Sequence, residues 1–305
     1  MFKKIIRLPY SYGAMAFLAI FLGLFFDGYP RYSDEITMFS LLVIMSLSTR
    51  EVKFKKLRSL KKHLGDFFIV FLLNYGLLSI TLISLSYLLF EDIQLIQGIV
   101  VFAVVPSAIA VIPFTSMLEG DTELSLISSA LLYLSSLIIA PAVLLLLFGR
   151  EIGIWPILRN LIILIVVPTL ISRFLLKMDY REKDHDQVIV NTGFFLIIFG
   201  AVGANRHLFF NETSLLLPIL FIGAARSVGL ASLVHFGGKQ LKISSKKLKS
   251  YTLFTSLKNG GLSIILAVSL FGSKASFPIV LGFVFDPILL VYLKRVLYKG
   301  FSGLS

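Results

Sequence analysis

With 305 residues, 57% of them hydrophobic and only 15% charged, and a mean hydropathy of +0.90, the chain is excluded from the ordinary soluble classes and reads as an integral membrane protein. The formal net charge of +12 is spread in short clusters between apolar runs, a pattern that orients a protein in a bilayer and argues against nucleic acid as a partner. Cysteine is absent, which excludes disulfides and thiolate sites.

Windows of about 20 apolar residues predict ten spans, near 10–27, 36–49, 66–90, 94–119, 122–148, 154–176, 188–204, 214–236, 252–271 and 276–296. The first follows Lys3, Lys4 and Arg7 in the manner of a signal peptide, but so many similar runs come after it that a retained span is expected. The third carries Asn74. The fourth contains Pro106 and Pro113, and two prolines inside an apolar run predict a helix broken at membrane depth. Backbone groups freed there must be satisfied by protein, water or ligand, so such a break is expected to line a cavity. A solvated turn, Glu119 to Glu123, leads into the fifth span, where Ser125 and Ser129 share a face. A second interruption, Lys258-Asn259-Gly260-Gly261, falls in the ninth span.

Ten spans divide into five and five, and an odd number per half inverts the second half relative to the first. The expected architecture is all-α: ten transmembrane helices as two inverted five-helix repeats, about 1–149 and 153–305, forming a single transporter domain with broken helices 4 and 9 crossing at the midplane. Subtracting 152 from Asn259 gives 107, level with the first break. With the N-terminus inside, 21 basic residues fall on the cytoplasmic side and four, Arg31, Arg150, Arg206 and Lys274, on the other, which places both termini in the cytoplasm of a plasma or inner-membrane protein.

Ionisable residues inside a span are costly and usually mark function. Arg226 in the eighth span, Lys258 at the second break and Asp286 in the tenth qualify. They have two readings: a structural network that holds the last spans together, or groups that face a substrate or carry a proton. Ser107, Thr115, Ser125, Ser129 and Asn74 are weaker signals, since hydroxyls and amides also serve as packing glue between helices. His63, His185, His207 and His235 lack a second ligand at metal spacing, so neither a metal nor a cofactor is expected.

Pro106 to Gly120, followed by Leu124-Ser125 and a serine-rich span ending Ala140-Pro141, resembles spans four and five of the bile acid:sodium symporter family. Leu257 to Leu262 is similar to that family's ninth-span segment. The resemblance implies a core of spans 3–5 and 8–10 moving against a panel of spans 1, 2, 6 and 7. It also implies sodium-site positions at Ser125, Ser129 and Asn74, and a substrate-side asparagine at Asn259. The chain departs from the family where Val111 and Ile112 replace a Ser-Asn pair, Phe254 a shared glutamate and Lys258 a glutamine. A hard cation needs several oxygen donors, and the resemblance implies that the Lys258 ammonium fills the cation's place.

The expected function is therefore a secondary transporter, not an enzyme. It would move a small or amphipathic organic anion by alternating access, proton-coupled or sodium-independent. Ser107, Thr115, Asn259, Lys258 and Arg226 are expected around the substrate, with Asn74, Ser125, Ser129, Lys258 and Asp286 in a coupling network where Asp286 carries the proton or pairs with Lys258. A cation/proton antiporter of related fold and a non-transporting membrane sensor are the alternatives.

Overall fold

A computed structural model describes residues 11–29, 33–50, 60–149, 153–177 and 183–298, and these are mostly helical, with no strand among them. Among the described residues, seven helices are long and apolar enough to cross a membrane: Lys62–Leu89, Thr122–Phe148, Ile154–Leu176, His185–Ala204, Thr213–Gln240, Ser245–Phe271 and Ser273–Leu297. Three shorter apolar helices, Tyr12–Phe25, Glu35–Ser48 and Ile93–Val104, occupy the places of predicted spans 1, 2 and 4. Met1 to Tyr10, Arg31, Lys53 to Arg58, Arg150, Arg181 and Lys299, on which part of the orientation argument rests, lie outside the described residues.

We label the helices in chain order as α1 (Tyr12–Phe25), α2 (Ser33–Thr49), α3 (Lys62–Leu89), α4 (Ile93–Val104), α5 (Val111–Met117), α6 (Thr122–Phe148), α7 (Ile154–Lys177), α8 (Lys183–Ala204), α9 (Thr213–Gln240), α10 (Ser245–Ser256), α11 (Gly260–Phe271) and α12 (Ser273–Leu297). Local chemistry sets the ends. The Asp92 carboxylate accepts from the Gln94 and Leu95 amides and starts α4, and Asp121 does the same for α6 through Leu124. Gly149, at φ 77°, lets the chain leave α6 in a conformation other residues avoid.

Pro106 acts one residue upstream of itself. It forces Val105 into an extended conformation (ψ 157°), and α4 stops there. Pro113 does not contribute to the break, contrary to the sequence expectation. It lies in the first turn of α5, where its missing N–H has no helical partner to lose. The second break spans Leu257 to Asn259 and contains no proline; the Asn259 side chain accepts from the Leu262 amide and caps α11. The turn before α6 is also less solvated than expected. Glu119 is exposed, but Asp121 and Glu123 are partly covered, and the Asp121 amide donates to the Lys246 carbonyl at the start of α10 (3.1 Å).

Helices α1, α2, α7 and α8 pack on one another, and α3 to α6 pack with α9 to α12. One of the places where the two groups meet is the start of α11, where glycine is required by space. A Cβ on Gly261 would stand 2.9 Å from Leu41 Cδ1 of α2, and one on Gly260 would stand 2.4 Å from the Phe283 ring.

Candidate functional site

The two breaks touch. The Asn259 amide donates to the Pro106 carbonyl (2.9 Å), so each interruption satisfies a backbone group the other has freed. Lys258, only 2% exposed, reaches from the second break into the first. Its Nζ donates to Asn74 Oδ1 (2.8 Å), Ser79 Oγ (3.1 Å) and the Val105 carbonyl (3.0 Å), and lies 4.5 Å from the centre of the Tyr75 ring. Three N–H donors thus meet three neutral oxygens, with an aromatic face alongside.

The backbone of α3 makes this seat. Leu72–Leu78 is a π-helical turn, in which residues five apart stack on one line. That aligns Asn74 with Ser79, which an α-helix would point in different directions. The Asn74 Nδ2 group donates to the Phe254 carbonyl (2.7 Å), and the Ser79 hydroxyl donates to the Ala103 carbonyl (2.6 Å), so both broken helices are tied to α3.

Asp286 is not the partner of Lys258. Its carboxylate accepts from Arg226 Nη2 (2.7 Å), and the same guanidinium donates to the Ser256 carbonyl (2.8 Å) and the Gly282 carbonyl (3.0 Å) while lying 5.0 Å from the centre of the Phe102 ring. Bidentate reach and five donors suit arginine to such a junction, and lysine is already committed elsewhere. Arg226 also sits in a π turn, Ala225–Gly229. A small cavity beside it is lined by Phe102, Ile219, Ile222 and Gly223.

The remaining predicted residues divide. Thr115 and Ser125 bond to each other across α5 and α6 (2.8 Å). The hydroxyls of Ser107 and Ser129 are buried with no hydrogen-bond partner among the described residues. Asn259 Nδ2 donates to the Tyr133 hydroxyl (2.7 Å) and lies 3.6 Å from Met45 Sδ of α2, so this side chain touches both groups of helices. Sequence reasoning missed Ser79, Tyr75 and Tyr133. Tyr133 was within reach, one turn beyond Ser129 on the face that Ser125 and Ser129 define; Ser79 was not, because nothing in the sequence announces a π turn. Val111 and Phe254, at positions the resemblance gives to cation ligands, are fully buried and offer no side-chain oxygen.

Apolar helices of membrane-spanning length, two interrupted helices joined at their breaks and charged side chains held between them define a helical membrane transporter. The chain belongs to the SBF-like CPA transporter family, which it matches over residues 30–297, a family related to the bile acid:sodium symporters. It is 22% identical over 280 residues to the uncharacterized protein YbaS of Bacillus subtilis (strain 168), covering 89% of this chain and 90% of YbaS.

Proposed function

We propose that the protein moves an organic anion across the plasma or inner membrane by alternating access and without sodium. The observation that carries this is the charge balance at the breaks. Arg226 and Asp286 neutralise each other, whereas Lys258 is a buried positive charge that pairs with no carboxylate among the described residues. A site with one unbalanced positive charge favours an anion and repels a free cation. The ammonium bonded to Asn74 takes the place that sodium holds in the family the chain resembles.

The same reading takes the chain as ten spans in two inverted repeats with both termini in the cytoplasm. An internal correspondence supports it: Asn74 and Arg226 are 152 positions apart, as are Phe102 and Phe254. Asn74 contacts Phe254, Arg226 contacts Phe102, and each polar residue lies in a π turn. A cation/proton antiporter is the second reading, since Asp286 is a buried carboxylate; its engagement with Arg226 speaks against it.

Uptake of radiolabelled taurocholate and pyruvate into proteoliposomes, with sodium, potassium or choline as the cation, tests the proposal. Uptake of either anion at equal rate in all three salts is expected. Sodium-specific stimulation, or cation-for-proton exchange without anion flux, would overturn it.

A further inference from the structure

We infer that Lys258 is the proton-exchanging group of this transporter, and that its proton is the bolt that locks α3 to both broken helices. The inference rests on the transport reading for its role in a cycle, but the lock itself follows from the contacts alone. An ammonium has three N–H groups and here uses all three, on Asn74 Oδ1 and Ser79 Oγ of α3 and on the carbonyl of Val105 at the end of α4, while its own backbone belongs to the second break. A neutral amine has two N–H groups and a lone pair. Loss of the proton therefore removes one tether and leaves a buried oxygen without its donor, which favours parting of these elements.

The groups that face the ammonium are all uncharged. Facing Nζ from α3 are the amide of Asn74, the ring of Tyr75 and the hydroxyl of Ser79; the Tyr75 hydroxyl is turned away to the Leu132 carbonyl (3.2 Å). From α6 the nearest titratable group is Tyr133, engaged with Asn259. On the other flank of α10 stands the Arg226 and Asp286 pair, whose guanidinium donates to the Ser256 carbonyl. No carboxylate pairs with the ammonium among the described residues, so no fixed counter-charge holds the proton on. An anion arriving at the breaks would. The cycle balances if the ammonium and a bound monoanion form and move together, and if, after the anion leaves, the amine gives its proton to water on the side then open. In the state described, Lys258 is 2% exposed, so the proton is confined until the helices part. Asp286 is the poorer carrier, because protonating it would strand a guanidinium that does not itself deprotonate.

Hydrogen exchange on the full-length protein in lipid nanodiscs, followed by mass spectrometry from about pH 6 to 10 and corrected for intrinsic rates, reads the lock without any substrate. Peptides covering 72–79 and 255–261 should lose protection reversibly as pH rises in the wild type. Lys258→Arg, a cation that keeps its proton, should stay protected throughout. Lys258→Gln fixes the neutral state and should match the high-pH wild type at every pH, which serves if the arginine variant does not fold. Protection independent of pH in the wild type, or a pH response that survives in Lys258→Gln and disappears in Asp286→Asn, would overturn the inference. In proteoliposomes, an acid-outside gradient should drive several-fold accumulation of labelled taurocholate by the wild type, while Lys258→Arg should exchange it without accumulation. If no anion flux is found and the exchange titration persists, the transport reading fails and the lock stands.

Discussion

Removing Arg226 and removing Lys258 leave different things behind. Arg226→Met strands the mostly buried Asp286 carboxyl without its partner, at an expected loss of up to about 3–5 kcal/mol. The double variant Arg226→Met with Asp286→Asn should regain most of that in thermal melts of the detergent-solubilised protein. Lys258→Met strands only neutral oxygens, at about 1–3 kcal/mol each. Combined with Asp286→Asn it should be additive, since the two side chains share no partner; a strong rescue would mean they are coupled after all. Asp92 gives a test outside the spans. Burial alone would raise its pKa, but the hydrogen bond and charge of Lys274 and the Gln94 amide outweigh burial and hold it below the usual carboxylate range. A depressed folded-state value means stability that is present above the unfolded pKa and lost as pH falls through the folded one, so melting temperature should drop on acidification below about pH 4. Asp92→Asn keeps a good capping side chain and should blunt that acid-dependent drop. That ionisable residues lie inside the spans was legible from composition alone. Which of them pair was not, because Arg226 and Asp286 meet only through tertiary packing 60 positions apart.

The helices themselves were legible because the bilayer demands long apolar runs, and the first break because Pro106 dictates the conformation of Val105. The exact extent of that break was not, since proline is harmful inside a helix and harmless in its first turn, and only the structure shows Pro113 to be in the latter. Close packing between elements makes a sharp prediction. A Cβ on Gly98 would lie 1.8 Å from the Ala275 carbonyl oxygen, backbone against backbone, so Gly98→Ala should force α4 away from the start of α12 and cost about 1–3 kcal/mol or more. Gly65 in α3 has nothing within 4 Å of such an atom, and Gly65→Ala should be neutral or stabilise by up to about 1 kcal/mol. Thermal melts of the two variants side by side check both signs. If Gly98→Ala melts with the wild type, the packing of α4 on α12 is looser than described.

At the scale of the molecule, α1, α2, α7 and α8 meet the broken helices where Leu41 and Met45 face Gly261 and Asn259. Relative motion of the two groups would open and close that seam, so Gly261→Leu should hold them apart and abolish anion flux in proteoliposomes while the protein still reaches the membrane. Sodium should raise the melting temperature no more than potassium or choline at equal ionic strength, because Val111, Ile112 and Phe254 bring no side-chain oxygen; a sodium-specific rise would restore a cation site. The division into two groups was visible in the sequence only through resemblance. The π turns that seat Asn74 and Arg226 left no trace in hydropathy.

One feature of α10 and α11 bears on how the protein is made. Of the seven long apolar stretches among the described residues, Ser245–Phe271 is the least apolar, and 83% of its apolar 18-residue window is buried, against 28% for Ile154–Leu176. It faces protein nearly all round, so few of its side chains meet lipid in the folded protein. On its own such a segment would leave the translocon for the bilayer poorly. Its entry during synthesis must lean on helices already inserted ahead of it, and a chain emerging without α3 to receive Lys258 would be expected to stall with this interrupted helix outside the membrane.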